Sequence, residues 1–172
     1  MRNLFWGRMT LRNVRASVAI LGALLVLGSA NVGAAETCRN VQGYFNLVQV
    51  SGAACTSPVG VCTAGNFSGD IRGSFYSPFF TITESAETPN TGVVLFTAET
   101  VITGARIGGR KGNLVLSEGG AYSTSDGAFG QLFTVTGGTG GFAGATGTLR
   151  GMGTYLPADG GGAVYAGKVC FN

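Results

Sequence analysis

Hydrophobic and polar residues alternate with a period of two along most of the chain after residue 36, and glycine-rich or polar segments interrupt the alternation. This spacing is typical of strands that bury one face, and no segment in that region sustains the apolar spacing of a helix. Residues 88–92, 125–127 and 158–161 contain residue types that form turns. The pattern predicts eight strands, over residues 43–50, 66–73, 75–84, 92–103, 112–122, 128–136, 144–156 and 162–171.

The predicted strands are numerous and their loops are short, which favours antiparallel neighbours. A sheet of this kind must pair or hide its edge strands, and closing it into a barrel removes the edges. A chain of about 140 residues buries roughly two-thirds of its unfolded surface, which is enough for one core. We therefore expect an all-β fold, an eight-stranded antiparallel barrel, formed as a single domain by residues 36–172.

The alternation also assigns side chains to the inner face of the predicted sheet. In the third and fourth strands the aligned residues are Tyr76, Phe80, Ile82 and Glu84, and Val94, Phe96, Ala98 and Ile102. In the fifth and sixth strands they are Leu114, Leu116, Glu118 and Tyr122, and Phe129, Gln131, Phe133 and Val135. The fourth strand is apolar on its opposite face as well, which would permit self-association through the barrel wall.

Two polar side chains, Glu118 and Gln131, fall among apolar neighbours on this predicted inner face. A carboxylate inside a barrel is strongly unfavourable unless it is paired or protonated. Glu118 is therefore the candidate catalytic residue. In the alternative interpretation, Glu118 lies at the end of its strand, beside Gly119-Gly120, and reaches solvent.

The first 35 residues have the composition of a secretory signal peptide. A basic lead with four arginines precedes an uncharged apolar run over residues 16–27, and the small residues Gly33-Ala34-Ala35 follow. The run is shorter than the roughly 20 residues of a membrane-spanning helix. We expect cleavage near residue 35, a periplasmic or secreted product and no stable membrane span after cleavage; translation starts at Met1 or at Met9.

Cleavage would remove those four arginines from a precursor whose net charge is +3, leaving seven basic and eight acidic residues, or −1. The remaining basic residues are scattered, with only Arg110 and Lys111 adjacent. Nucleic-acid binding favours a basic stripe with interleaved aromatic residues. We therefore predict no nucleic-acid partner.

Four cysteines lie in the predicted mature chain: Cys38, Cys55, Cys62 and Cys170. An even number in an exported protein indicates disulfides, and four cysteines permit three pairings. We favour Cys55–Cys62, which closes a short loop, and Cys38–Cys170, which joins the two ends of the barrel. The alternative is a zinc site with four thiolates, but its usual close pairs have two intervening residues rather than six.

Two further observations exclude classes of chemistry. The chain contains no histidine, which removes Ser-His-Asp and Cys-His nucleophiles and histidine-ligated metals. The glycine-rich residues 137–144 are followed by glycines and threonines rather than by a helix, and no lysine stands at the P-loop spacing. We expect a bend between two strands there, with no metal and no nucleotide or other cofactor.

Residues 133–147, FTVTGGTGGFAGATG, resemble the glycine-rich strand–turn–strand of the allene oxide cyclase and dirigent barrel superfamily, which includes bacterial members. That segment reads approximately ITGGTGxFxGAxG in the family. Residues 112–120 and 68–71 are similar to earlier strands, and the resemblance covers about residues 92–156. It implies a calycin-type barrel with an apolar cavity that holds or converts hydrophobic molecules without a cofactor. The cyclases' substrate-orienting glutamate and proline have no match in residues 38–62, so the resemblance implies the fold and not the reaction.

The first function that we predict is binding of a hydrophobic small molecule in the central cavity, since an eight-stranded barrel can hold one ligand. The predicted ligand-binding residues are Phe80, Phe96, Tyr122, Phe129, Gln131 and Phe133. The second is a cofactor-independent cyclase or isomerase in which Glu118 is an acid, a base or an orienting group. The third is a structural or surface-interaction barrel with a filled core, which the 31 glycines and many small residues would suit.

Overall fold

Eight β-strands form most of residues 36–172, the part of the chain that the computed structural model describes. They are β1 (Thr37–Val50), β2 (Cys62–Gly69), β3 (Arg72–Glu84), β4 (Val93–Ile107), β5 (Arg110–Ser123), β6 (Ala128–Gly138), β7 (Thr146–Leu156) and β8 (Gly160–Phe171). A short helix, α1 (Thr88–Thr91), and two 3₁₀ turns, Gly52–Ala54 and Gly140–Phe142, lie in the loops. The predicted signal peptide lies outside the described residues. Among the described residues, no helix is both long enough and apolar enough to cross a bilayer.

The strands form a closed barrel in which each pairs with its neighbours in chain order. Closure depends on the antiparallel ladder between β1 and β8, which runs from Thr37 opposite Phe171 to Leu47 opposite Gly161. No edge strand is left in the sheet, which is the arrangement expected from the number of strands and their short connections. The predicted all-β, eight-stranded antiparallel barrel is confirmed.

The second strand departs most from its predicted limits. It was expected over residues 66–73, but β2 ends at Gly69 and β3 begins at Arg72. Asp70 ends the strand, because the Gln42 amide donates to Asp70 Oδ2 at 3.0 Å and the Asp70 amide donates to Gln42 O at 3.0 Å. Asp70 and Ile71 therefore form a turn and do not continue the sheet.

The predicted inner face of β3 is wrong at Tyr76 and Phe80. Phe75 and Ser77 are buried in the interior, and the pairing with β4 shifts between Phe79 and Thr81. A bulge of this kind places two residues opposite one and reverses the alternation beyond it. Phe79 lies before the bulge and faces the interior, as Phe75 and Ser77 do, whereas Phe80 is 46% exposed. The reversal beyond the bulge is the reason that Ile82 lines the interior. The predicted inner faces of β4, β5 and β6 match the observed burial.

One end of the barrel, called the closed end below, is filled by side chains. Phe142 is fully buried there and packs against Phe171 with ring centroids 6.1 Å apart. The Tyr165 hydroxyl accepts a hydrogen bond from the Ile71 amide at 2.8 Å and donates to Ser68 O at 3.0 Å. These contacts fix the β2–β3 turn over the buried Ile71 side chain.

The glycine-rich segment forms the β6–β7 connection at this closed end. Its 3₁₀ turn carries Phe142 into the core. A Cβ added at Gly138 would lie 2.0 Å from Asn113 O, so only glycine fits against β5 at that point. The predicted bend between two strands is therefore confirmed, and the close backbone approach is the physical reason for at least one of its glycines.

Both favoured disulfide pairings are confirmed. Cys38–Cys170 joins opposite residues of β1 and β8, which are 132 positions apart in the sequence. Cys55–Cys62 holds the β1–β2 loop beside β2, and the loop packs against Tyr76, whose hydroxyl donates to Ala54 O at 3.0 Å. Since the described residues contain no free cysteine, the alternative zinc site with four thiolates is wrong.

Candidate functional site

A cavity of about 270 Å³ occupies the barrel at the end opposite the closed end, and we call it the apolar cavity. It is formed where β1, β3, β5 and β7 end and where β2, β4 and β6 begin, because antiparallel strands bring alternating ends together. The residues that line it are Leu47, Gln49, Val61, Thr63, Phe79, Ile82, Val94, Phe96, Tyr122, Thr124, Phe129, Gln131, Tyr155 and Pro157. Most of this wall is apolar or aromatic.

Aromatic side chains from four strands hold the wall of the apolar cavity in place. The Phe79 and Phe96 rings lie 5.1 Å apart, across the β3–β4 pair. The Tyr122 and Tyr155 rings lie 6.3 Å apart, and the Tyr122 hydroxyl donates to Tyr155 O at 3.2 Å. Ring pairs at these separations stabilise one another beyond the area that they bury. The cavity is thus bounded by side chains that are packed against each other.

A second and much smaller void, the inner pocket, lies deeper in the barrel and has a volume of about 20 Å³. That volume accommodates roughly one group of the size of a water molecule. Leu47, Thr63, Phe79 and Gln131 line both voids, so the inner pocket adjoins the apolar cavity. Its remaining lining residues are Phe45, Phe67, Phe75, Ser77, Thr100, Glu118 and Phe133.

Among the described residues, Glu118 is the only ionisable one that lines the inner pocket, and it is 6% exposed. The Ser77 hydroxyl donates to Glu118 Oε1 at 2.6 Å, and the Thr100 hydroxyl donates to the same oxygen. Neither hydroxyl donates to Oε2, and no other described residue does. Glu118 therefore presents one satisfied and one open carboxyl oxygen inside the barrel.

Burial raises the pKa of Glu118, and the hydrogen bonds from Ser77 and Thr100 oppose this shift only in part. No lysine or arginine lines the inner pocket or the apolar cavity, so no cation among their lining residues compensates a charge on Glu118. The alternative in which Glu118 reaches solvent at the end of its strand is wrong, because β5 continues to Ser123. The carboxyl group thus borders a small void that adjoins the apolar cavity.

The structure brings together five of the six predicted ligand-binding residues. Phe96, Tyr122, Phe129 and Gln131 line the apolar cavity, and Phe133 lines the inner pocket beside Glu118. Phe80 is the exception, because the β3 bulge turns it away from the residues that line either void.

The residues that surround Glu118 were not predicted from the sequence. Thr100 has the same parity as Ala98 and Ile102, so the pattern of β4 was sufficient to place it inside. Ser77 is assigned to the interior only once the β3 bulge is known, and Thr63 lies before the predicted start of the second strand. The polar side chains of this site are short hydroxyls, which period-two alternation does not distinguish from surface residues.

One group of potential metal ligands occurs among the described residues, and it is not a metal site. Glu36, Cys38 and Cys170 have ligand atoms within 4.8 Å of one another. The two sulfur atoms are joined as a disulfide and offer no thiolate. A single carboxylate remains, which is too few ligands to hold an ion.

Comparison with known proteins gives a limited similarity. No family model matches this sequence, and no curated protein matches it. Among solved structures, this chain is similar to a pterocarpan synthase dirigent protein, with a TM-score of 0.44 and 15% sequence identity over 80% of this chain and 86% of that chain. At this degree of similarity, what the barrel can bind has to be inferred from its own cavity and from Glu118.

Proposed function

We propose that this protein is an exported β-barrel that binds a hydrophobic small molecule in the apolar cavity. The observation that carries the proposal is the void of about 270 Å³ with a predominantly apolar and aromatic wall. This volume is just below the range of about 300–1,000 Å³ found for small-molecule sites, so it suits a small ligand. Burial of an apolar ligand against such a wall contributes roughly 25 cal/mol for each Å² removed from water.

The two disulfides support the exported location. Structural disulfides form and persist in oxidising compartments and are rare in the cytosol. Cys38–Cys170 and Cys55–Cys62 together use all the cysteines of the described chain. The expected signal peptide over residues 1–35 gives the same location, periplasmic or secreted.

Pyrene binding tests the proposed function, because pyrene is uncharged and its fluorescence reports the polarity of its surroundings. We expect the purified barrel to bind pyrene in an apolar environment. Val94→Trp fills the cavity and should weaken this binding at least ten-fold, since Val94 lines the cavity. The matched control is Leu95→Trp, because Leu95 is the adjacent residue on the same strand and is 52% exposed.

Equal loss of pyrene binding in both variants, or none in either, would show that the dye binds elsewhere. If the wild-type protein binds no pyrene and native mass spectrometry and lipid extraction also find no ligand, the proposal is wrong. The structural or surface-interaction barrel would then be the better assignment. Circular dichroism of both variants checks that the barrel is intact.

The buried Glu118 favours a second function, that of a cofactor-independent cyclase or isomerase. Catalytic acids and bases are effective when their pKa lies near the working pH, and burial raises the pKa of this carboxyl in that direction. Gln131 and Tyr122 line the adjoining cavity and would orient an oxygen of the substrate.

A screen of unsaturated, oxygen-bearing apolar compounds for isomerised products tests this activity. With any compound that is converted, we expect Glu118→Gln to lower kcat by about 100-fold or more, as is usual for loss of a general acid or base. Glu99→Gln, which removes a β4 carboxylate that lines neither void, serves as the control and should leave kcat within two-fold. Unchanged turnover by the Glu118 variant would eliminate its assignment as the catalytic group.

A further inference from the structure

The polar side chains of the inner pocket indicate which chemical group of a ligand would bind there. Glu118, Gln131 and Thr63 all line the inner pocket, and Glu118 Oε2 accepts no hydrogen bond from the described residues. A primary ammonium group has three donors and no acceptor, whereas a hydroxyl has one donor and a carboxylate has none. An ammonium group can therefore donate to Glu118 Oε2 and to the oxygens that Gln131 and Thr63 carry, and it brings no acceptor of its own into the pocket.

The small volume of the inner pocket also favours a primary ammonium group. The inner pocket holds about 20 Å³, roughly the space of one water molecule. A primary ammonium head fits such a volume, but a trimethylammonium group or a carboxylate does not. The apolar cavity directly above it would receive the rest of the ligand.

Charge separates an ammonium from a hydroxyl of similar size. Glu118 is the only residue of the inner pocket that can carry a charge, and no cation lines either void. The two hydroxyl groups of Ser77 and Thr100 both donate to Oε1, an arrangement that stabilises the carboxylate form. Phe79 and Phe96 line the apolar cavity that leads to the pocket, and aromatic rings attract a cation at their faces.

We propose that the ligand of this barrel is an apolar primary amine that enters head-first, with its ammonium group in the inner pocket against Glu118 Oε2 and its apolar body in the cavity. This inference rests on the proposed function and specifies its ligand class. When the ammonium form binds to a protonated Glu118, the carboxyl proton is released to solvent and an ion pair is formed. The only other titratable groups that line the two voids are the phenols of Tyr122 and Tyr155, both in the apolar cavity.

Four probes that share one naphthalene ring test the ligand class: naphthylmethylamine, naphthylmethanol, naphthoic acid and trimethyl(naphthylmethyl)ammonium. At neutral pH we expect the amine to bind at least ten times more tightly than the alcohol. The trimethyl compound and the acid should bind more weakly than the alcohol. The trimethylammonium group is too large for the inner pocket, and the carboxylate of the acid would be buried where no lining residue is a cation. Calorimetry in two buffers of different ionisation enthalpy measures the number of protons released on binding, which should be larger with the amine than with the other three probes.

Two variants locate the effect at the carboxyl group. Glu118→Gln should reduce amine affinity at least ten-fold and leave alcohol affinity within two-fold. Ser77→Ala, which retains the carboxyl but removes one donor to it, should reduce amine affinity several-fold and provides the test if the first variant fails to fold. Glu99→Gln is the matched control, since Glu99 is a β4 carboxylate that lines neither void.

The possible outcomes distinguish failure of the proposed ligand class from failure of the proposed binding function. If pyrene and naphthylmethanol bind but the amine binds no more tightly, or if Glu118→Gln weakens amine and alcohol equally, the ligand class is wrong and the binding function stands. If no probe binds and pyrene does not bind, both are wrong. If the preference for the amine is lost in Glu118→Gln and kept in Glu99→Gln, both the binding function and the amine ligand class are supported.

Discussion

Replacing Cys38 and Cys170 together by alanine is expected to lower the free energy of unfolding by about 5 kcal/mol. The disulfide encloses nearly the whole folded chain, with a sequence separation of 132. In the chain-entropy model a cross-link stabilises the protein by restricting the unfolded chain, and the effect increases with the size of the closed loop. Equilibrium unfolding in urea, followed by circular dichroism, measures the difference.

The position of this disulfide in the barrel strengthens the expectation. Cys38 and Cys170 are opposite residues of β1 and β8, the pair of strands that closes the sheet. Without the bond, that ladder must form between segments at the two ends of the described chain. Folding then includes the full entropy cost of bringing those two segments together. Breaking the pairing would also expose two strand edges.

Replacing Cys55 and Cys62 by alanine is the matched control, because it removes the other disulfide from the same barrel. Their separation of 7 residues closes a short loop, for which the same model gives only about 2.5 kcal/mol. Equal destabilisation by the two double variants would contradict the loop-size argument. A change of less than about 1 kcal/mol on losing Cys38–Cys170 would show that β1–β8 pairing does not depend on the cross-link.

The fold was predictable from sequence because most strands of the barrel bury one face. In β5 and β6 the alternation runs without interruption through the residues beside Glu118, and the predicted inner face is the observed one. The disulfides were predictable for a different reason, since the short spacing of Cys55 and Cys62 leaves the two distant cysteines to pair. Each of these inferences needed only local spacing or the ends of the chain.

The surroundings of Glu118 were not predictable in the same way, because they depend on register between strands. Ser77 and Thr100 reach one carboxyl oxygen from β3 and β4, and their alignment with β5 is set by ladders on either side of β4. The β3 bulge changes which residues face inward after Phe79. Pro78, directly before Phe79, is a residue type found at bulges, but it does not specify how the pairing shifts. A single unpaired residue therefore moved Phe80 out of the predicted site and Phe79 into it.

The wild-type barrel is expected to lose stability relative to Glu118→Gln as the pH rises above the ordinary glutamate pKa of about 4.5. Burial raises the pKa of Glu118 in the folded protein, so the folded state keeps a proton that the unfolded chain has released. The stabilisation due to that proton is complete below the unfolded-state pKa and is lost as the pH rises through the folded-state pKa. The maximum slope for one proton is about 1.4 kcal/mol per pH unit.

Urea unfolding of both proteins between about pH 4 and pH 9 measures this difference. The difference between their unfolding free energies should be flat at the acidic end, grow in favour of Glu118→Gln through the intermediate range and become flat again once the folded protein has lost the proton. Other titrating groups, such as Asp126, whose pKa is lowered by hydrogen bonds, are present in both proteins and cancel in the difference.

Glu99→Gln should follow the wild-type profile, since that carboxylate is outside the inner pocket. Parallel profiles for the wild type and Glu118→Gln would show that the carboxyl ionises as readily in the barrel as in the unfolded chain, and an acid–base role for Glu118 near neutral pH would then lose its physical basis.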